Sequence, residues 1–183
     1  SKIVFTCTGS ESIDLSLRIA RAVTGGTGFI VTANAYHGNT LAVTQISPSS
    51  TSAEPRSPHV FLVPAPDTYR TPSDDVGPIF AANVRKAISA MKRKKIRLAG
   101  LVADSIFSSD GIYPGEPGFM AEAIASLRKE GGGFIADEVQ PGFARTGERM
   151  WGFERHGLVP DMVVMGKPMG NGMPVAATIM QPQ

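Results

Sequence analysis

Lys167 is the only charged residue in "VVMGKPMGNGMPVAA", residues 163–177, and it stands just after the apolar run 162–165. A lysine in such company serves either as half of a structural ion pair or as an amine kept neutral enough to act as a nucleophile. Asp137 poses the matching question, because it ends the apolar run in "GGFIADEVQ". A carboxylate there is costly unless a cation or several donors meet it. It could cap the turn that follows, or pair with Lys167 itself. A third signal is "TGSES", residues 8–12, where a turn of small residues opens a helical pattern. Backbone N–H groups at a helix start hold phosphate or carboxylate well, although many such turns carry no ligand. An anion cradle, a semi-buried acid and a lone semi-buried lysine together suit pyridoxal 5'-phosphate. That cofactor needs its phosphate held, its ring nitrogen kept protonated, and its aldehyde bonded to an amine as a Schiff base.

Three such residues can meet only if the chain brings distant segments to one edge. Strand-like runs lie at 3–7, 29–32, 60–63, 98–103, 134–136, 162–165 and 176–180. Most are continuously apolar, as strands covered on both faces are. Between them, 11–23, 76–93 and 116–129 carry apolar residues at helical spacing, while 47–58 and 64–77 read as loops. Alternation of this kind predicts an α/β fold with a largely parallel sheet and helices on both faces. In such sheets ligands bind beyond the carboxyl ends of the strands, which is where the turn at 8–12, Asp137 and Lys167 all fall. The glycines of "TGGTGF", 24–29, precede a strand instead of following one, which is the wrong context for a dinucleotide fingerprint.

Composition narrows the classes of partner. The net charge of +2 gives no footprint for nucleic acid, and the basic run "KRKKIR" at 92–97 reads as the solvated end of a helix. No apolar run is long enough for a transmembrane helix. With Cys7 the only cysteine, no intrachain disulfide can form, which suits a reducing cytoplasm. The chain opens directly into one strand-like run and stops shortly after another. We therefore expect residues 1–183 to be a piece of a longer protein.

The segments "CTGSES", "AYHGNT", "IADEVQPGFARTG" and "GKPMGNGMP", in this order and spacing, resemble the class III aminotransferases. These are fold-type I, pyridoxal-phosphate-dependent enzymes that include the ω-aminotransferases. The resemblance covers nearly the whole chain. It implies the large domain of such an enzyme, a mostly parallel seven-stranded sheet with helices on both faces, without the N-terminal segment and the C-terminal small domain. It further implies that Gly9 and Ser10 cradle the cofactor phosphate, that Tyr36 stacks on one face of the ring, and that Val139 packs on the other. Asp137 would pair with the ring nitrogen, Gln140 would bond near the ring hydroxyl, and Lys167 would form the Schiff base and then move the proton. Without the resemblance, Tyr36 reads only as a packing aromatic in a turn. His37 is expected to be structural, Glu138 an ion-pair partner, and Arg145 a residue that fixes loop geometry or a subunit contact. Members of the family are homodimers that pass an amino group from an amino acid or amine to a keto acid.

One stretch departs from the family's pattern. Where many members carry "EPIQGEGG", this chain has "DSIFSSDG", 104–111, so Asp104 and Ser109 replace two glutamates and Asp110 stands beside the second. That change, with the form of "GKPMGNGMP", keeps open a lyase acting on an amino-alcohol phosphate. A catalytically inert piece of the large domain is the remaining alternative.

Overall fold

The computed structural model describes residues 1–50 and 55–182. Part of the expected loop at 47–58 therefore lies outside the described residues. Seven strands form one sheet: β1 (Lys2–Thr6), β2 (Gly28–Thr32), β3 (Val60–Val63), β4 (Leu98–Ala103), β5 (Gly133–Asp137), β6 (Met162–Met165) and β7 (Ala176–Met180). Their order is β1-β7-β6-β5-β4-β2-β3. β7 is antiparallel to both neighbours, and every other pair is parallel, so the remaining strands all point to the same edge.

Period-2 alternation divides the side chains of the central strands between two cores. Leu101 and Ala103 of β4 and Phe134 and Ala136 of β5 face helices α3 (Ser73–Arg93) and α4 (Ala121–Lys129), among Phe80, Val84, Ile124 and Leu127. Val102 and Ile135 point the other way, to Ile13 and Leu17 of α1 (Gly9–Thr24). A fully buried Leu, Ile or Phe contributes roughly 1.5–3 kcal/mol, so these two layers dominate the stability of the fold.

The elements differ from expectation in four places. β1 is exposed along most of its length, with Phe5 65% accessible, although its apolar run reads like that of a covered strand. It is an edge strand, and periodicity does not reveal whether anything covers an edge. α3 begins at Ser73, inside the stretch expected to be loop, because Asp74 and Asp75 in its first turn complement the helix dipole. α4 begins only at Ala121, since Gly115 and Gly118 adopt left-handed φ values of 59° and 87° around Pro117. A short helix, α2 (Leu41–Thr44), was not foreseen. The basic run behaves as expected: Lys92 and Arg93 close α3, Lys92 bonds Glu130 at 2.6 Å, and Lys94 lies over the Phe61 ring.

Candidate active site

Five of the strands that share one direction, with the turns after them, surround one cavity of about 230 Å³. From β1 come Gly9 and Ser10 at the start of α1. The segment after β2 supplies Tyr36, His37 and Gly38, and the end of β4 supplies Asp104. β5 leads to Asp137, Val139 and Gln140, and β6 to Lys167. All seven residues expected at the site line this cavity, and they do so at the carboxyl edge of the sheet.

Each segment is held there for a local reason. At the start of α1, Thr8 Oγ1 accepts the Glu11 N–H while Glu11 Oε2 accepts the N–H groups of Cys7 and Thr8, a reciprocal cap. Ser12 N–H bonds Thr8 O. Among the described residues no partner takes up the N–H groups of Gly9 and Ser10, which leaves two donors at the positive end of a 16-residue helix. Glycine is required where the segments converge. A Cβ on Gly9 would come within 3.0 Å of Val139 Cγ2, and one on Gly38, at φ 139°, within 2.8 Å of Ser10 Cα.

Asp137 is 5% exposed. Its Oδ2 lies 2.7 Å from His37 Nδ1, and its Oδ1 accepts the Val139 N–H at 3.1 Å. The partner that makes this buried carboxylate tolerable is thus His37 and not Lys167. His37 is itself fixed by its N–H bond to Ser47 Oγ at 2.9 Å, while its Nε2 is buried with no partner among the described residues. His37 therefore has the structural role expected of it, and the acid is what it holds. The signal was present in "YHG", but nothing in the chain marks His37 and Asp137 as neighbours.

Lys167 corrects an expectation, because it is exposed instead of semi-buried. The apolar strand ends at Met165, and Lys167 opens a 3-10 turn, Lys167–Gly170, that carries it to the rim. Its backbone adopts φ 42°, a left-handed conformation that costs a non-glycine residue on the order of 1–2 kcal/mol. Arg145 is exposed in the loop after Phe143 and Ala144, both at φ 61°, and lies outside the cavity.

The departures at 104–111 also find places. Ser109 Oγ accepts the Tyr36 N–H at 3.0 Å, and Asp110 binds Thr32 Oγ1 at 2.6 Å and the Asn34 N–H at 3.0 Å. Both therefore hold the segment that carries Tyr36. Asp104 accepts bonds from Ile106 N–H and from the Ser108 hydroxyl and N–H. Burial pushes its carboxyl above the ordinary range against those bonds, and the neighbouring Asp137 adds to the push.

Glu138 is fully buried and makes no ion pair among the described residues, contrary to expectation. Burial raises its pKa from 4.5 to about 7, opposed by bonds from Gly152 N–H, the Ser105 hydroxyl and Phe153 N–H. Between those values the unfolded chain gives up a proton that the folded one keeps. The contribution of Glu138 to stability is therefore present in full below pH 4.5 and declines as pH rises through about 7. The decline is at most about 1.4 kcal/mol per pH unit. Urea unfolding across this range should show the free-energy gap between the wild type and Glu138→Gln changing with pH, then levelling off above about 7.

The chain matches the family model "Aminotransferase class-III" over residues 1–183 and belongs to that family. It is 38% identical over 184 residues to alanine–glyoxylate aminotransferase 2 homolog 2, mitochondrial, of Arabidopsis thaliana, covering 99% of this chain and 38% of that protein. An Arthrobacter phospholyase solved in complex with phosphoethanolamine superimposes with a TM-score of 0.92 at 36% identity, over 98% of this chain and 43% of that one. The fold is shared as well by an omega transaminase from Pseudomonas jessenii solved in complex with PMP, with a TM-score of 0.89 at 24% identity, over 100% of this chain and 43% of that one. The chain thus spans about two fifths of the length of the relatives it matches.

The residues fit pyridoxal phosphate. Two uncommitted N–H groups at a helix start suit a phosphate, and a buried acid suits a protonated ring nitrogen. An unpartnered imidazole nitrogen and an amine at the rim complete a polar lining around a small cavity.

Proposed function

We propose that this chain is the cofactor-binding core, the large domain, of a pyridoxal-phosphate-dependent enzyme that moves an amino group from an amino acid or amine to a keto acid. The observation that carries the reading is the convergence of the α1 start, Asp137 and Lys167 on one cavity at the carboxyl edge of the sheet. When bound, pyridoxal phosphate supplies an aldehyde that a primary amine can bond and a protonated ring that draws electrons away from the substrate's amine-bearing carbon.

The chain's residues divide the remaining work. Gly9 and Ser10 hold the phosphate with backbone N–H groups, at the helix end that favours negative charge. Asp137 keeps the ring nitrogen protonated, and His37 fixes the carboxylate that does so. Tyr36 and Val139 supply the two walls between which a flat ring fits, and Gln140 offers a hydrogen bond near the ring hydroxyl. Lys167 Nζ is the amine that would hold the cofactor's aldehyde, and the same amine would take and return the proton of the substrate carbon. Its exposed position suits both roles, because Nζ must move between them.

The phosphoethanolamine-bound phospholyase supports a second reading, a lyase that releases phosphate from an amino-alcohol phosphate. Product analysis separates the readings. With pyridoxal phosphate present, the protein should form a new amino acid from an amine and a keto acid. Phosphate and ammonia released from phosphoethanolamine would instead mark a lyase. No product from either substrate set would mark a catalytically inert domain.

A homodimer is part of the proposal. Leu41 and Met173, in the segments that follow Gly38 and Lys167, are 74% and 70% exposed and suit burial by a second copy. The lone cysteine suits a reducing compartment. The cytoplasm meets that condition, as does the mitochondrion named for the Arabidopsis relative.

A further inference from the structure

Glu138 lies next to Asp137 in sequence, is fully buried, and lines no part of the cavity. The functional reading gives it no task, yet its bonds tie together three segments that do have tasks. Oε2 accepts the Gly152 N–H at 2.7 Å. Oε1 accepts the Phe153 N–H at 3.0 Å and the Ser105 hydroxyl at 2.9 Å. Its own N–H bonds Val164 O of β6 at 2.8 Å, and its carbonyl accepts the Gly142 N–H at 3.1 Å. One residue, anchored to β6, therefore closes the whole stretch 139–151 into a loop. That loop begins with Val139 and Gln140, which line the cavity, and Ser105 adjoins Asp104, which lines it too. The Val139 N–H in turn bonds Asp137 Oδ1 at 3.1 Å, so slack at the start of the loop reaches the acid.

The latch is built for a carboxylate. All three partners donate to its oxygens, two to Oε1 and one to Oε2. Gly152 leaves the space, since a Cβ there would come within 2.8 Å of Pro141 Cβ and would crowd Ser105 Oγ.

We propose that Glu138 is a positioning residue: by latching Gly152, Phe153 and Ser105 to the end of β5, it sets the places of Val139, Gln140 and the Asp137 carboxylate in the pocket. This inference rests on the functional reading above. Glu138→Gln keeps the shape but turns an N–H toward the donors, while Ser105→Ala removes one donor and nothing else. The test compares the wild type, each variant and the double variant by two measurements. The first is amide hydrogen exchange in 139–151 without cofactor, with α1 as the internal reference. The second is affinity for pyridoxal phosphate, with borohydride trapping to check that Lys167 is the lysine labelled.

In Glu138→Gln, exchange in 139–151 should quicken while α1 stays protected, and cofactor affinity should fall about tenfold. Ser105→Ala should do the same to a smaller extent, and the double variant should be no worse than Glu138→Gln alone, because both remove one shared bond. If α1 loses protection as well in Glu138→Gln, Ser105→Ala decides. Quicker loop exchange with unchanged affinity would overturn the positioning role and leave Glu138 a mere loop anchor, and unchanged exchange would overturn the latch itself. A wild type that is not trapped at Lys167 defeats the functional reading, and the positioning role falls with it. A trapped wild type with unaffected variants defeats the present inference alone.

Discussion

Lys167→Ala should lower the rate of the proposed amino transfer by at least about 10³-fold and leave the fold intact. The size follows from the two tasks that meet at one nitrogen. Positioned proton transfer alone is worth on the order of 10²–10⁴-fold, and the covalent bond to the aldehyde is lost in addition. The fold survives because the side chain is exposed and is half of no ion pair among the described residues. Replacing an exposed side chain usually changes stability by no more than about 0.5 kcal/mol. Single-turnover rates beside unfolding curves of both proteins check the prediction. A slow variant that unfolds like the wild type supports the chemical role. A variant as active as the wild type removes the residue from the mechanism.

Asp137→Asn is the second large effect, on the order of 10²–10³-fold in rate. Asparagine has nearly the same shape and can still accept the Val139 N–H, so the pocket keeps its outline. What it lacks is the negative charge, on a side chain 5% exposed, that would keep the ring nitrogen protonated in the proposed role. The variant should take up the cofactor and label Lys167, yet turn over slowly. That pattern separates it from Lys167→Ala, which cannot be labelled. Rates of transfer and the absorbance of the bound cofactor, measured on the same samples, check both halves. Loss of cofactor binding with normal turnover in excess cofactor would contradict the assigned role.

The sequence and the structure agree best where a run of one residue class is long. β3, β4, β6 and β7 fall at the expected bounds because each is an apolar stretch between polar turns. Agreement fails where the deciding contact is distant or the element is short. β1 shares the apolar run of the buried strands, but it lies at the edge beside β7 and stays exposed. α2 spans one turn, Leu41–Thr44, which is too short to show a period. In the site, a charge set at the end of an apolar strand was enough to single out Asp137 and Lys167. The depth of Lys167 was misjudged, because apolar neighbours in sequence do not remain neighbours after Gly166 and the 3-10 turn. The pairing of His37 with Asp137 is not legible in the sequence, because Asp137 lies on a different strand turn, with β4 between β2 and β5. Tyr36, Val139 and Gln140 came from the family resemblance alone, and the fold carries all three to the cavity wall.

The central claim is that the amine of Lys167 is the group that takes hold of pyridoxal phosphate. Incubation with the cofactor, reduction with borohydride and peptide mass spectrometry test it directly. The account predicts a single modified lysine at Lys167 and no such label in Lys167→Ala. Label spread over Lys92, Lys94 and Lys95 at the exposed end of α3, unchanged in the variant, would contradict it.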